Sequence, residues 1–139
     1  MGDGPARTDI EQLFKAFDQQ VHFLGQLDRD ALATAYQQAS VFVWPGVNEA
    51  FGMVYLEAQA AGLPLIAQDR AGVREAIATS RSLVPTGDAK MFAQAIDSLL
   101  ASPAEYQSMA SSGQDFVRNR HLLGSAANTL SEQLSALVV

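Results

Sequence analysis

The chain contains no cysteine, which excludes disulfides, a cysteine-ligated zinc site and thiol catalysis. Its two histidines, His22 and His121, stand about a hundred positions apart and in no ligand-spacing motif; no metal site is expected. Lysine and arginine number only nine, against 15 aspartates and glutamates, and the formal net charge is −6. The basic residues are scattered and form no run, whereas a nucleic-acid surface concentrates them in a stripe; a nucleic-acid partner is therefore not expected. Apolar runs fall far short of the ~20 residues of a spanning helix, and no membrane contact is expected of this segment. The opening Met1-Gly2-Asp3-Gly4-Pro5 lacks the basic-then-apolar pattern of a signal peptide, so the expected location is the cytoplasm. An acidic protein can still hold an anionic ligand, through a local site of backbone amides or a few bases.

What is present is an ordinary globular composition over 139 residues, 48% hydrophobic and 17% charged, enough for one domain with a real core. Short apolar runs alternate with longer amphipathic segments. Thr8 or Asp9 is expected to cap a helix with Ile10, Leu13, Phe14 and Phe17 on one face. Val21 to Leu24 reads as a short strand, ended by Gly25. Asp28 should cap a second helix, with Leu32, Ala35, Tyr36 and Ala39 inward. Val41-Phe42-Val43-Trp44 is a continuous apolar strand, stopped by Pro45-Gly46 and suited to a parallel sheet covered on both faces. A helix is expected from Gly52 to Ala61, with Gly62 just past its end and Pro64 unable to continue it. Leu65 to Ala67 is the next strand, Gly72 to Ala78 a short helix, and Leu83-Val84 a last brief strand. Asp88 should cap a helix with Phe92, Ala95, Ile96, Leu99 and Leu100 inward. Pro103 opens another, and a final amphipathic helix runs from Ser125 to Leu137. The order implies an α/β fold, a Rossmann-like parallel sheet sandwiched by helices. Ligands bind such sheets at the C-terminal edge of the strands, here the loops after Trp44, Ala67 and Val84.

The loop after Trp44 carries the most chemistry. Glu49 lies in it, Gly52 sits where the next helix begins, and Glu57 follows Glu49 by eight positions. Free N–H groups and the positive end of the helix dipole face the strand edge at such a point. A glycine there lets a ligand approach the backbone closely. A loop carboxylate can accept from sugar hydroxyls, and a second one along the helix can accept both hydroxyls of a ribose.

The run Asn48-Glu49-Ala50-Phe51-Gly52 through Glu57 resembles the E-x7-E motif of the retaining GT-B glycosyltransferases, the group of glycogen and sucrose synthases and many bacterial mannosyl- and glucosyltransferases. Further segments are similar in the same order. Gly2-Asp3-Gly4-Pro5 looks like the G-D-G-P that ends the family's second C-domain strand, and Val21-His22-Phe23-Leu24-Gly25 like its V-x-F-L-G. Ala60-Ala61-Gly62-Leu63-Pro64-Leu65-Ile66-Ala67 looks like A-x-G-x-P-V-I-A, Gly72-Val73-Arg74-Glu75-Ala76-Ile77 like G-x-x-E-x-I, and Val84-Pro85-Thr86-Gly87-Asp88 like V-x-P-G-D. The resemblance covers roughly residues 2 to 100.

The resemblance implies a donor-binding domain spanning residues 1–139 and a nucleotide-diphosphate sugar, UDP- or GDP-linked, as partner. It assigns Glu49 to the donor sugar near the anomeric centre. Ala50, Phe51, Gly52 and Met53 would offer backbone N–H groups to sugar and phosphate, Val54 would pack near the nucleotide, and Glu57 would bind the ribose. Leu24 and Gly25 are weaker candidates for a base pocket. No cofactor and no metal are implied. In the family, a strand carrying an Arg, with a Lys a few residues later, precedes G-D-G-P and clamps the diphosphate. That pair and the acceptor domain are not in this sequence. The expectation is therefore a GT-B C-terminal domain lacking its first strands, inactive in isolation. The two lacking strands would lie between Val21–Leu24 and Val41–Trp44, leaving edges to be closed by re-pairing or by homodimerisation.

Each residue also has a plainer reading. Glu49 and Glu57 taken singly are solvated surface residues. Gly62 and Pro64 are helix-stop chemistry, Trp44 and Phe42 core, Asp88 an N-cap, and His22 a packed strand residue. Glu75 could contact a ligand or lie on the surface. Arg70 and Arg74 are expected to be exposed, though either could reach a phosphate. Two other functions fit the same fold: a non-catalytic nucleotide-sugar-binding or assembly module, and a GT-B-type epimerase.

Overall fold

The structure, a computed structural model, describes residues 3–46 and 52–137. The chain falls into two compact units, residues 1–35 and 36–139.

In the first unit, α1 spans Arg7–Leu13 and is followed by a 3-10 turn, Lys15–Gln20. The expected cap at Thr8 or Asp9 is not used. The helix starts earlier, behind Ala6, with no side-chain cap. Arg7 accounts for the shift: its N–H donates to the Gly4 carbonyl, and its guanidinium bridges Asp3 at 3.1 Å and Glu11 at 2.7 Å. The expected strand Val21–Leu24 does not form. Val21 is extended, with φ −121° and ψ 120°, but residues 21–25 carry no ladder. A strand exists only through its neighbours, and among the described residues this segment pairs with none of the three strands of the sheet. His22 is accordingly exposed and not packed. α2 spans Arg29–Gln38, and Asp28 caps it as expected, its Oδ1 accepting from the Ala31 N–H at 2.8 Å.

The second unit holds the sheet. β1 (Phe42–Trp44), β2 (Leu65–Gln68) and β3 (Leu83–Val84) are parallel in the order β1-β2-β3. Phe42 pairs with Leu65, Trp44 with Ala67 and Gln68 with Val84. The crossovers are α3 (Met53–Ala60) between β1 and β2, and α4 (Ala71–Arg74) with a 3-10 turn, Ser80–Ser82, between β2 and β3. The second helix is shorter than the expected Gly72–Ala78. α5 (Ala89–Ala101), α6 (Pro103–Arg120) and α7 (Leu123–Leu137) follow, the last starting two residues before the expected Ser125.

Side chains two apart on a strand share a face, and here the two faces differ in chemistry. Phe42 and Trp44 stack on one face, 6.0 Å apart and 8° from parallel, and Tyr55 of α3 meets Phe42 edge-on at 6.4 Å. On the other face Ile66 and Val84 join Leu99 of α5 and Met109 of α6 in an aliphatic cluster that also takes in Val41 and Phe92. Leu65, Ile66 and Ala67 are all within 1% of full burial, so β2 is the covered central strand its apolar run implied. β1 is covered on one face only, since Val43 is 42% exposed.

The helix boundaries follow local chemistry. Asp88 accepts from the Met91 N–H at 2.8 Å, and Ser102 caps α6 with Pro103 in its first turn. α3 ends in the two bonds of a Schellman turn: Leu63 N–H to the Ala58 carbonyl and Gly62 N–H to the Gln59 carbonyl, both at 3.0 Å. Gly62 there has φ +80°.

Candidate functional site

The C-terminal ends of the strands, at Trp44, Gln68 and Val84, define the edge where a ligand would be sought. Of the expected site residues, Glu49, Ala50 and Phe51 lie outside the described residues. The structure places the other four on and before α3. Gly52 is its N-cap, with φ 72° and ψ 67°, a left-handed conformation that favours glycine. Space demands glycine there too, because a Cβ would collide with the ring of Tyr55, which is fully buried. The sequence reading attributed Gly52 to ligand approach alone; Tyr55 supplies a second reason. Met53 is 60% exposed, Val54 is half-buried and Glu57 is exposed.

Glu57 has an unforeseen partner. The hydroxyl of Tyr36 donates to its Oε2 at 3.0 Å, across 21 positions of sequence. Tyr36 is 6% exposed. Burial, then the hydrogen bond to Glu57 and its negative charge, raise the phenol well above its ordinary value of 10.0.

Gln59, two positions on, is 2% exposed and fully satisfied. Its Nε2 donates to the Tyr55 carbonyl at 2.9 Å and the Ala76 carbonyl at 2.7 Å, and its Oε1 accepts from the Ala78 N–H at 2.9 Å. This side chain ties α3 to the segment that follows Glu75. Gly113 of α6 lies against it, so closely that a Cβ would sit 3.1 Å from the Gln59 Cγ. A polar residue on the helix face shared with the apolar Tyr55, Leu56 and Ala58, two positions after Glu57, was the signal available in the sequence, and it was missed.

The loop after β2 carries two cations, both engaged. Arg74 grips Asp69 in a fork, Nε to Oδ1 at 2.6 Å and Nη2 to Oδ2 at 2.9 Å. That guanidinium holds the Asp69 carboxyl below the usual carboxylate range. Arg70 is half-buried and donates to Gln68 Oε1 through Nη2 at 2.9 Å, so no carboxylate among the described residues balances its charge. Glu75 is exposed and borders a cavity of about 450 Å³ between α4 and α6, shared with Arg74, Asp115 and Arg120. In the first unit, Gly25 has φ +65° and Leu24 is 52% exposed. No helix among the described residues is long and apolar enough to cross a membrane.

A three-stranded parallel sheet layered with helices matches the fold of GT-B glycosyltransferase structures. The chain superposes on sucrose-phosphate synthase from Thermosynechococcus elongatus with a TM-score of 0.81 and 32% identity, over 97% of this chain and 35% of that one. Residues 1–102 match the family model "Glycosyl transferases group 1", and the chain belongs to that family. It is 34% identical over 118 residues to phosphatidyl-myo-inositol mannosyltransferase of Mycobacterium leprae, covering 81% of this chain and 32% of that protein. It is 38% identical over 82 residues to the GDP-mannose-dependent alpha-mannosyltransferase of Mycolicibacterium smegmatis, covering 59% of this chain and 21% of that protein. The chain thus spans about a third or less of the length of these curated relatives.

Proposed function

We propose that this chain is the donor-binding part of a retaining glycosyltransferase that takes a UDP- or GDP-sugar and passes the sugar to an acceptor held by a domain not in this sequence. In that reaction the bond from the anomeric carbon to the diphosphate oxygen breaks, and a bond to an acceptor hydroxyl forms on the same face of the sugar. Negative charge develops on the leaving diphosphate, so donors aimed at it dominate the catalytic effect. Glu49 serves the sugar near its anomeric carbon. The backbone N–H groups of Ala50, Phe51, Gly52 and Met53 serve sugar and phosphate, Val54 borders the nucleotide, and Glu57 accepts the ribose hydroxyls. The donor-binding reading extends over residues 1–139 as one functional part.

The observation that carries the reading is the placement of Glu57. A carboxylate on α3, one turn past a left-handed glycine at the strand edge, is exposed yet held by a buried phenol. The family membership, and the GDP-mannose dependence in the name of one relative, support a nucleotide sugar as ligand. Isothermal titration of the chain with UDP, GDP and their sugar conjugates tests the reading. Binding of one nucleotide series, lost in Glu57→Ala, is the expected result and identifies the base. If no nucleotide binds, or if Glu57→Ala binds as tightly as the parent chain, the donor-site reading fails for this chain. A non-catalytic nucleotide-sugar-binding module of the same fold is the second reading; it predicts the same binding and no transfer in any longer form of the protein.

A further inference from the structure

Among the contacts around α3, the pairing of Tyr36 with Glu57 has no obvious need. A buried phenol can satisfy its hydroxyl on a backbone carbonyl or on water. Here it reaches a carboxylate on an otherwise exposed position, 3.0 Å away. The ring that carries the hydroxyl is itself fixed. It lies 6.0 Å from Phe42, tilted by 55°, and Phe42 is stacked on Trp44 and met edge-on by Tyr55. The phenol is therefore anchored to β1 and α3, while its hydrogen bond goes to a glutamate whose free side chain would sample many rotamers.

A carboxylate has about four acceptor sites. Tyr36 occupies one on Oε2, and Oε1 has no hydrogen-bond partner among the described residues. Both oxygens thus keep acceptor capacity on the solvent side. We propose that Tyr36 is a positioning residue: its hydroxyl holds the Glu57 carboxylate in the orientation that accepts the vicinal hydroxyls of a nucleoside diphosphate's ribose. This rests on the donor-site reading of Glu57 given above. The benefit is preorganisation, since a carboxylate already held in place loses less freedom when the sugar arrives.

The test compares ribose with deoxyribose on the full chain, by titration with UDP and GDP and with their 2′-deoxy and 3′-deoxy forms. The parent chain should favour the ribose form. Tyr36→Phe should weaken binding of the ribose form by roughly three- to ten-fold and leave the deoxy forms nearly unchanged. Glu57→Gln should abolish the ribose preference, and adding Tyr36→Phe to it should change nothing further. Glu57→Asp withdraws the carboxylate by one methylene from the phenol, so it should reproduce the loss without touching the aromatic cluster. That variant carries the test if Tyr36→Phe does not fold. A folded Tyr36→Phe with the parent chain's ribose preference overturns the positioning role, as does a Glu57→Asp chain that keeps it. A Glu57→Gln chain with an undiminished ribose preference, or a parent chain that binds no nucleotide, overturns the donor-site reading itself, and the positioning role with it.

Discussion

The two compact units use the same kind of apolar pattern with opposite results. In the second unit, Ile66, Val84, Leu99 and Met109 interlock, each no more than 6% exposed. In the first, Ile10, Leu13, Phe14 and Phe17 repeat at helical spacing, yet they are 40%, 73%, 42% and 52% exposed. Phe14 finds Phe17 at 6.1 Å and Phe23 at 6.2 Å, a small aromatic cluster whose rings stay 39% to 52% exposed. Periodicity states which face of a helix can be buried. Whether that face is buried depends on a second surface, and in residues 36–137 a three-stranded parallel sheet provides it.

The largest expected effect separates the units directly. Ile66→Ala removes a central-strand side chain that is 1% exposed and should cost ~2–5 kcal/mol in denaturant unfolding. Leu13→Ala, at a residue 73% exposed, should stay within about 0.5 kcal/mol. Equal losses would mean that the first unit has a core partner in solution, and the contrast would collapse.

A second contrast is sharper because the substitution is the same. Gly52 and Gly25 both have positive φ, +72° and +65°. A Cβ at Gly52 runs into the buried ring of Tyr55, whereas at Gly25 it meets only the far end of the Arg7 side chain, 3.0 Å away. Gly52→Ala should therefore cost roughly 2–4 kcal/mol and Gly25→Ala about 1–2 kcal/mol, read from thermal melts of the two variants. The reverse order would show that packing around Tyr55 yields more easily than the structure implies.

The smallest expected effect lies in the surface ion pairs, which both units possess. Asp69 is held below its ordinary 3.8 by Arg74. The folded-state pKa is depressed, so the pair stabilises the protein above about pH 4. That contribution fades as the pH falls through the lowered value. Exposure and salt screening keep it small. Asp69→Asn should be slightly less stable than the parent at neutral pH, and the two acid-unfolding curves should converge at the low-pH end. A gap that persists to the lowest pH would assign the loss to something other than the carboxylate's charge.

Much of the second unit was legible in order. The strands at 42–44, 65–68 and 83–84 and the cap at Asp88, like the cap at Asp28 in the first unit, each rest on a signal a few residues long. So does the stop at Gly62. Turn and cap chemistry is local, so one sequence carries it. Val21–Leu24 had the same local signal for a strand and failed, because a ladder needs a neighbouring strand and local preference cannot supply one. In the candidate site, the sequence singled out Glu57 and Gly52 through spacing and a family resemblance. It did not disclose Tyr36 as the partner of Glu57, nor the three hydrogen bonds of Gln59, since those pairings join residues as many as 21 positions apart.

Composition and local pattern were sufficient to determine an α/β chain with parallel strands, the helix ends marked by Asp28, Asp88 and Gly62, and a carboxylate near the start of the helix after the first sheet strand. The tertiary structure alone decided which apolar faces are covered, why Gly52 must be glycine for both its backbone conformation and its space, and that a buried phenol donates a hydrogen bond to the exposed Glu57. The division follows from range: dihedral preferences and capping bonds act within a turn or two of the chain, whereas burial and side-chain pairing depend on which distant segments the sheet brings together.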